Sequence, residues 1–201
     1  MQEQNSDQSK TKAPRSMRLG KHALFHFMIW LGALSVFAAA DSWSTVTGLQ
    51  FAAFLALLAA VVAGVTSTTL IHEWFHFFGA WASGGRYGIP TRNGLFVFDW
   101  HYGDNSLKQF YTMSLAGSAG SVVGIALLWM SVPTDTAARA ALTAAAIASL
   151  AYGACIEWPV LKRTQLSGDP LAELSKIDSS VLTRALAAAT AVGLIAWWGL
   201  A

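Results

Sequence analysis

The stretch Thr68-Thr-Leu-Ile-His-Glu-Trp-Phe-His-Phe-Phe-Gly-Ala-Trp81 sets two histidines and a glutamate inside an apolar run. Ionisable groups in such surroundings are costly to bury and are kept where they bind or react. His72 and His76 are four residues apart, so on a helix they stand one turn apart and about 40° around the axis. Two imidazoles so placed can hold one metal ion. Glu73 occupies the neighbouring face, where a carboxylate can take a proton from water activated by that ion.

This His-Glu-x-x-His spacing is the one zinc metalloproteases use. A catalytic Zn2+ takes three protein ligands, imidazoles or carboxylates, and leaves a fourth position open. The structural alternative is a pair of histidines satisfied between helices, with Glu73 paired to an arginine. His22-Ala-Leu-Phe-His26 repeats the histidine spacing without the glutamate. It falls where a basic tail meets the membrane and reads as interfacial, so the glutamate is what makes the second occurrence informative.

These residues need elements to carry them, and composition says which. The chain has 201 residues, 54% of them hydrophobic and 12% charged, with a mean hydropathy of +0.45. A soluble domain carries about twice that charge fraction. The apolar residues fall in long blocks, which predicts an all-α integral membrane protein in a lipid bilayer. Spans are expected at about 22–40, 49–82, 109–131, 137–160 and 180–200, giving one polytopic domain over 22–201 after a disordered basic tail over 1–21. As one helix, 49–82 would be about 50 Å long against a hydrocarbon core of about 30 Å. It must tilt, project from the bilayer, or break near Gly64-Val-Thr-Ser-Thr-Thr69. Residues 86–100, with Asn93-Gly94 between two short extended pieces, predict a β-hairpin. The single cysteine, Cys155, excludes an internal disulfide or a cysteine zinc cage and reads as a small core residue. A net charge of +2 gives no reason to expect nucleic acid as a partner.

Orientation follows from the basic residues. Five lie in the tail and three in each of the segments 83–108 and 161–179, eleven of the 13 in the chain. Five spans bring all three segments to one side. The expectation is a cytoplasmic N-terminus and hairpin, in the bacterial inner membrane. A third metal ligand should then come from the same side. Asp169, in Ser167-Gly-Asp-Pro170, is the preferred candidate, although an aspartate before proline is also a good helix N-cap. Glu157 is the runner-up, being nearer the bilayer, and Asp99, His101 and Asp104 are within reach.

Taken together, these residues resemble the site-two protease family of intramembrane zinc metalloproteases. The likeness runs from His72-Glu73-x-x-His76 through Ala80 and Gly84, the hairpin and Leu115-Ala-Gly-Ser-Ala-Gly120, to an aspartate entering a later helix, over roughly residues 50–175. It implies zinc held by His72, His76 and Asp169, with Glu73 activating water to cut a peptide bond in or beside a transmembrane segment of another membrane protein. It also ranks Asp169 above Glu157. The chain departs from the family pattern in three places. Phe75 stands where glycine usually precedes the second histidine, Ser118 and Ser121 replace a proline and an asparagine, and only Gly168-Asp169-Pro170 remains of the aspartate's usual setting. No regulatory module such as a PDZ domain is present in the sequence. These departures keep a second function in view: a non-catalytic membrane subunit that packs into a larger complex, or in one variant uses a histidine to ligate haem or a chlorophyll-type pigment.

Overall fold

In the computed structural model the described residues are 14–201; residues 1–13 of the tail expected over 1–21 lie outside them. The chain is an all-α membrane protein with five helices long and apolar enough to cross a bilayer. They are α1 (Arg15–Thr47), α2 (Gln50–Ala82), α3 (Leu107–Ser131), α4 (Ala137–Ser167) and, after the short α5 (Pro170–Leu174), α6 (Ser179–Leu200). Two short strands, β1 (Tyr87–Gly88) and β2 (Asp99–Trp100), pair antiparallel between α2 and α3.

Helix ends follow local chemistry. Gly48 and Gly168 close α1 and α4 in the left-handed conformation, at φ 66° and 71°. Ser106 and Gln109 form a reciprocal capping box at the start of α3. Thr136, Asp169 and Asp178 each accept a backbone N–H at the start of α4, α5 and α6.

α2 is the central element and packs against α1, α3 and α4, while α6 packs on α4. Small residues let the backbones approach. Ala52, Ala56, Ala60 and Ala63 of α2 and Ala138, Ala140, Ala141 and Ala146 of α4 are buried. A Cβ on Gly64 would fall on the Leu142 carbonyl of α4. The far end of the bundle carries an ion pair, with Arg139 Nε donating to Asp41 Oδ2 at 2.8 Å between α4 and α1.

Several sequence expectations change. Residues 15–21, assigned to the tail, form the first turns of α1, and α4 runs past 160 to Ser167, its polar end continuing the helix beyond the apolar part. α2 does not break at 64–69, where glycine serves packing instead. The hairpin ladder holds only Tyr87 opposite Trp100 and Gly88 opposite Asp99, and Gly94 does not adopt a positive φ. The loop between the strands is shaped by tertiary contacts instead. Ile89 and Val97 are buried with Phe77 of α2. Arg18, His22 and His26 of α1 reach the Ile89, Pro90 and Gly94 carbonyls at 2.6, 3.3 and 2.7 Å. His22 and His26 are therefore buried anchors for the loop rather than interfacial side chains. Cys155 is exposed on α4 rather than in the core.

Candidate metal centre

His72, Glu73 and His76 come together on the last third of α2, with one potential ligand atom from each within 4.8 Å of the others. Six residues separate His76 from the end of the helix, so the group lies about 9 Å inside the hairpin end of the bundle. The two imidazoles turn their Nε2 atoms toward each other, 2.8 Å apart. Glu157 of α4 completes the arrangement, with Oε1 2.8 Å from His72 Nε2 and 3.5 Å from His76 Nε2. Three potential ligand atoms from two helices thus converge on one small triangle.

The outer faces of both rings are fixed as well. His76 Nδ1 lies 2.9 Å from the Met113 carbonyl. A carbonyl only accepts, so Nδ1 carries the proton and Nε2 of the neutral ring presents a lone pair. His72 Nδ1 lies 3.0 Å from Ser121 Oγ, and Ser121 is itself buried. Both partners belong to α3, which approaches closely because it is built from small residues there. A Cβ on Gly117 would lie on the His76 ring, and one on Gly120 would meet Phe75. The small-residue segment of α3 therefore does more than pack helices: it makes room for the second histidine and lets the Met113 carbonyl, one turn before Gly117, reach it.

Two imidazole nitrogens and a carboxylate oxygen facing one another are held together either by a hydrogen on one nitrogen, His72 Nε2–H donating, or by a metal ion. The donor set suits zinc and other divalent metals that accept nitrogen and oxygen. Each ring is steered through its other nitrogen in the manner of metal-binding histidines. Glu157 Oε2 is buried and has no hydrogen-bond partner among the described residues, so this carboxylate has unused acceptor capacity. The residues fit a metal ion.

Asp169 is not among this group. It is exposed, and its Oδ1 accepts the Ala172 N–H at 3.0 Å as the N-cap of α5, while the residue before it, Gly168, is committed to ending α4. His101 and Asp104 form an exposed pair 3.5 Å apart. Asp99 lies on the rim of the cavity described next.

A cavity of about 440 Å³ opens beside the group, lined by Glu73, His76 and Glu157. Its walls are apolar: Phe96, Phe98 and Trp100 from the hairpin segment, Phe110 and Met113 from α3, and Leu174 from α5. Among the described residues no arginine pairs with Glu73, and no hydrogen bond engages its carboxylate. Tyr102 also lines the cavity, and burial pushes its phenol above the usual range, which keeps it neutral.

The sequence signals for Met113 and Ser121 were weak. A backbone carbonyl leaves no trace in residue type, and Ser121 stood out only as a departure, a serine where the family pattern has an asparagine. A scan of protein-family models, a search of curated proteins and a search of solved structures each found no match to this chain.

Proposed function

We propose that this chain is an intramembrane zinc metalloprotease of the site-two protease type, with His72, His76 and Glu157 as the metal-holding residues and Glu73 as general base. The supporting observation is the convergence of His72 Nε2, His76 Nε2 and Glu157 Oε1, with an unpaired Glu73 carboxylate on the cavity side. Zinc, when bound, supplies a Lewis acid that polarises a carbonyl and acidifies water. Glu73 accepts the proton of the attacking water and delivers it to the leaving amine. The Met113 carbonyl and Ser121 hold the two imidazoles with Nε2 facing inward. The aromatic walls from the hairpin segment exclude bulk water and accept apolar side chains of an unwound transmembrane segment. The basic residues gathered at this end support a reading in which it faces, with the N-terminus, the cytoplasmic side of a bacterial inner membrane.

The test is metal content of the detergent-purified protein by elemental mass spectrometry. One zinc per chain is expected in the wild type and in Asp169→Asn, with loss in His72→Ala and Glu157→Gln. Retention in Glu157→Gln with loss in Asp169→Asn would return the third ligand to the position the family resemblance implies. Cleavage of a model transmembrane substrate should then fall about 100- to 10,000-fold in Glu73→Gln.

A second reading is a non-catalytic membrane subunit. It is favoured by the direct contacts of His72 with Glu157 and His76, which satisfy the group around a proton without any metal. A well-folded wild type without metal would select it, and absorbance of the purified protein would show a bound haem or pigment.

A further inference from the structure

The first turns of α1 and the loop after β1 enclose a small polar pocket of about 130 Å³, apart from the metal centre, lined by Arg18, Lys21, Pro90, Thr91 and Asn93. We infer that it binds the phosphate group of an anionic phospholipid.

Four of the lining side chains can donate hydrogen bonds, two of them are cationic, and none is a carboxylate. Neither Arg18 nor Lys21 pairs with an acidic side chain among the described residues. The Arg18 guanidinium is already held in place, because one Nη donates to the Ile89 carbonyl at 2.6 Å. Its Nε–H is buried and has no acceptor among the described residues. A buried, charged donor left without a partner costs free energy, which an anion seated in the pocket would recover. Thr91 and Asn93 are exposed on the opposite wall, and no hydrogen bond occupies their side chains among the described residues.

The depth of the pocket selects a lipid over a free anion. Leu24, Phe27 and Met28 follow within three turns of α1 and are exposed at 63%, 50% and 58%, the surface expected against acyl chains. Six residues separate Arg18 from Leu24, about 9 Å along the helix, which puts the pocket at headgroup level. Basic pockets at this depth are where anionic headgroups bind. The occupant would also bridge α1 to the loop that continues into Phe96, Phe98 and Trp100, the hairpin wall of the cavity.

The experiment is a titration of the full-length protein, in neutral phosphatidylcholine nanodiscs, with dioleoylphosphatidylglycerol, read by native mass spectrometry of retained lipid. One retained phosphatidylglycerol per chain is expected, in preference to phosphatidylcholine. Lys21→Gln, whose side chain makes no hydrogen bond or ion pair among the described residues, should weaken retention about fivefold, and Arg18→Gln with Lys21→Gln roughly 30-fold. Lys162→Gln, at the same end of the bundle but outside the pocket, should leave it unchanged. Equal retention of both lipids, or wild-type retention in Lys21→Gln, would overturn the inference. Displacement of the lipid by millimolar inorganic phosphate would overturn the lipid assignment in favour of a free anion.

Discussion

His76 can turn its Nε2 toward His72 only because residue 117 has no side chain. A methyl group on Gly117 would occupy the volume of the imidazole, and the ring, being mobile about two bonds, would swing away before α3 did. Gly117→Ala is therefore expected to lower metal content to background while leaving the helical circular dichroism spectrum intact. Gly153 is the matched control, since a Cβ there meets His72 Cε1 at 3.7 Å and Glu157 Oε1 at 3.8 Å, both ordinary contacts. Gly153→Ala should keep its metal. Ser121→Ala removes the partner of His72 Nδ1 without touching the Nε2 face, and loss of such an orienting partner weakens metal affinity about 10- to 100-fold. Competition with a calibrated chelator would read that change. Equal metal affinity in Ser121→Ala and wild type would show that Ser121 does not orient the ring.

At the scale of elements, the site depends on which helices meet. The spacing of His72, Glu73 and His76 was legible because all three sit on one helix, where four residues make a turn. Glu157 was harder to place because it comes from α4, 85 residues beyond His72. Asp169, in contrast, follows the polar last turns of α4, which continue as helix to Ser167, and its side chain caps α5. The hairpin shows the same limit. Asn93-Gly94 is a strong local turn signal, yet contacts from α1 decide the loop's shape. His26 is central to them: it accepts the Trp74 Nε1–H at 3.1 Å on Nδ1, so its Nε2–H donates to the Gly94 carbonyl. Replacing the buried His26 by Ala removes both hydrogen bonds, at about 0.5–1.5 kcal/mol each. Amide hydrogen exchange over 89–98 should accelerate in His26→Ala while α3 and α4 stay protected. Unchanged exchange would mean that the apolar contacts of Ile89 and Val97 hold the loop without α1.

For the molecule as a whole, the five spans were visible in composition, because a bilayer leaves an apolar block few options but a helix. What composition cannot show is how the polar end is held closed. There α5 is secured by one buried carboxylate: Glu173 accepts from Arg163 Nε at 3.0 Å and from Lys176 Nζ at 2.7 Å, and is only 3% exposed. The Lys176 hydrogen bond, with Ser167 and Arg163 adding to it, holds the Glu173 carboxyl below its ordinary value of 4.5. A lowered folded-state pKa means that the folded form binds the proton less readily than the unfolded one, so the contribution to stability is full above pH 4.5. It is lost as the pH falls through the lower folded value. Because Leu174 of α5 lines the cavity beside Glu73, acid should loosen that wall before it loosens the bundle. Hydrogen exchange of 168–178, compared at neutral and acidic pH and corrected for the intrinsic rate, should show α5 opening selectively. In Glu173→Gln the same segment should open at neutral pH and lose most of its pH dependence. A pH-independent α5 in the wild type would show that Leu174 packing, rather than the Glu173 cluster, keeps this side of the cavity shut.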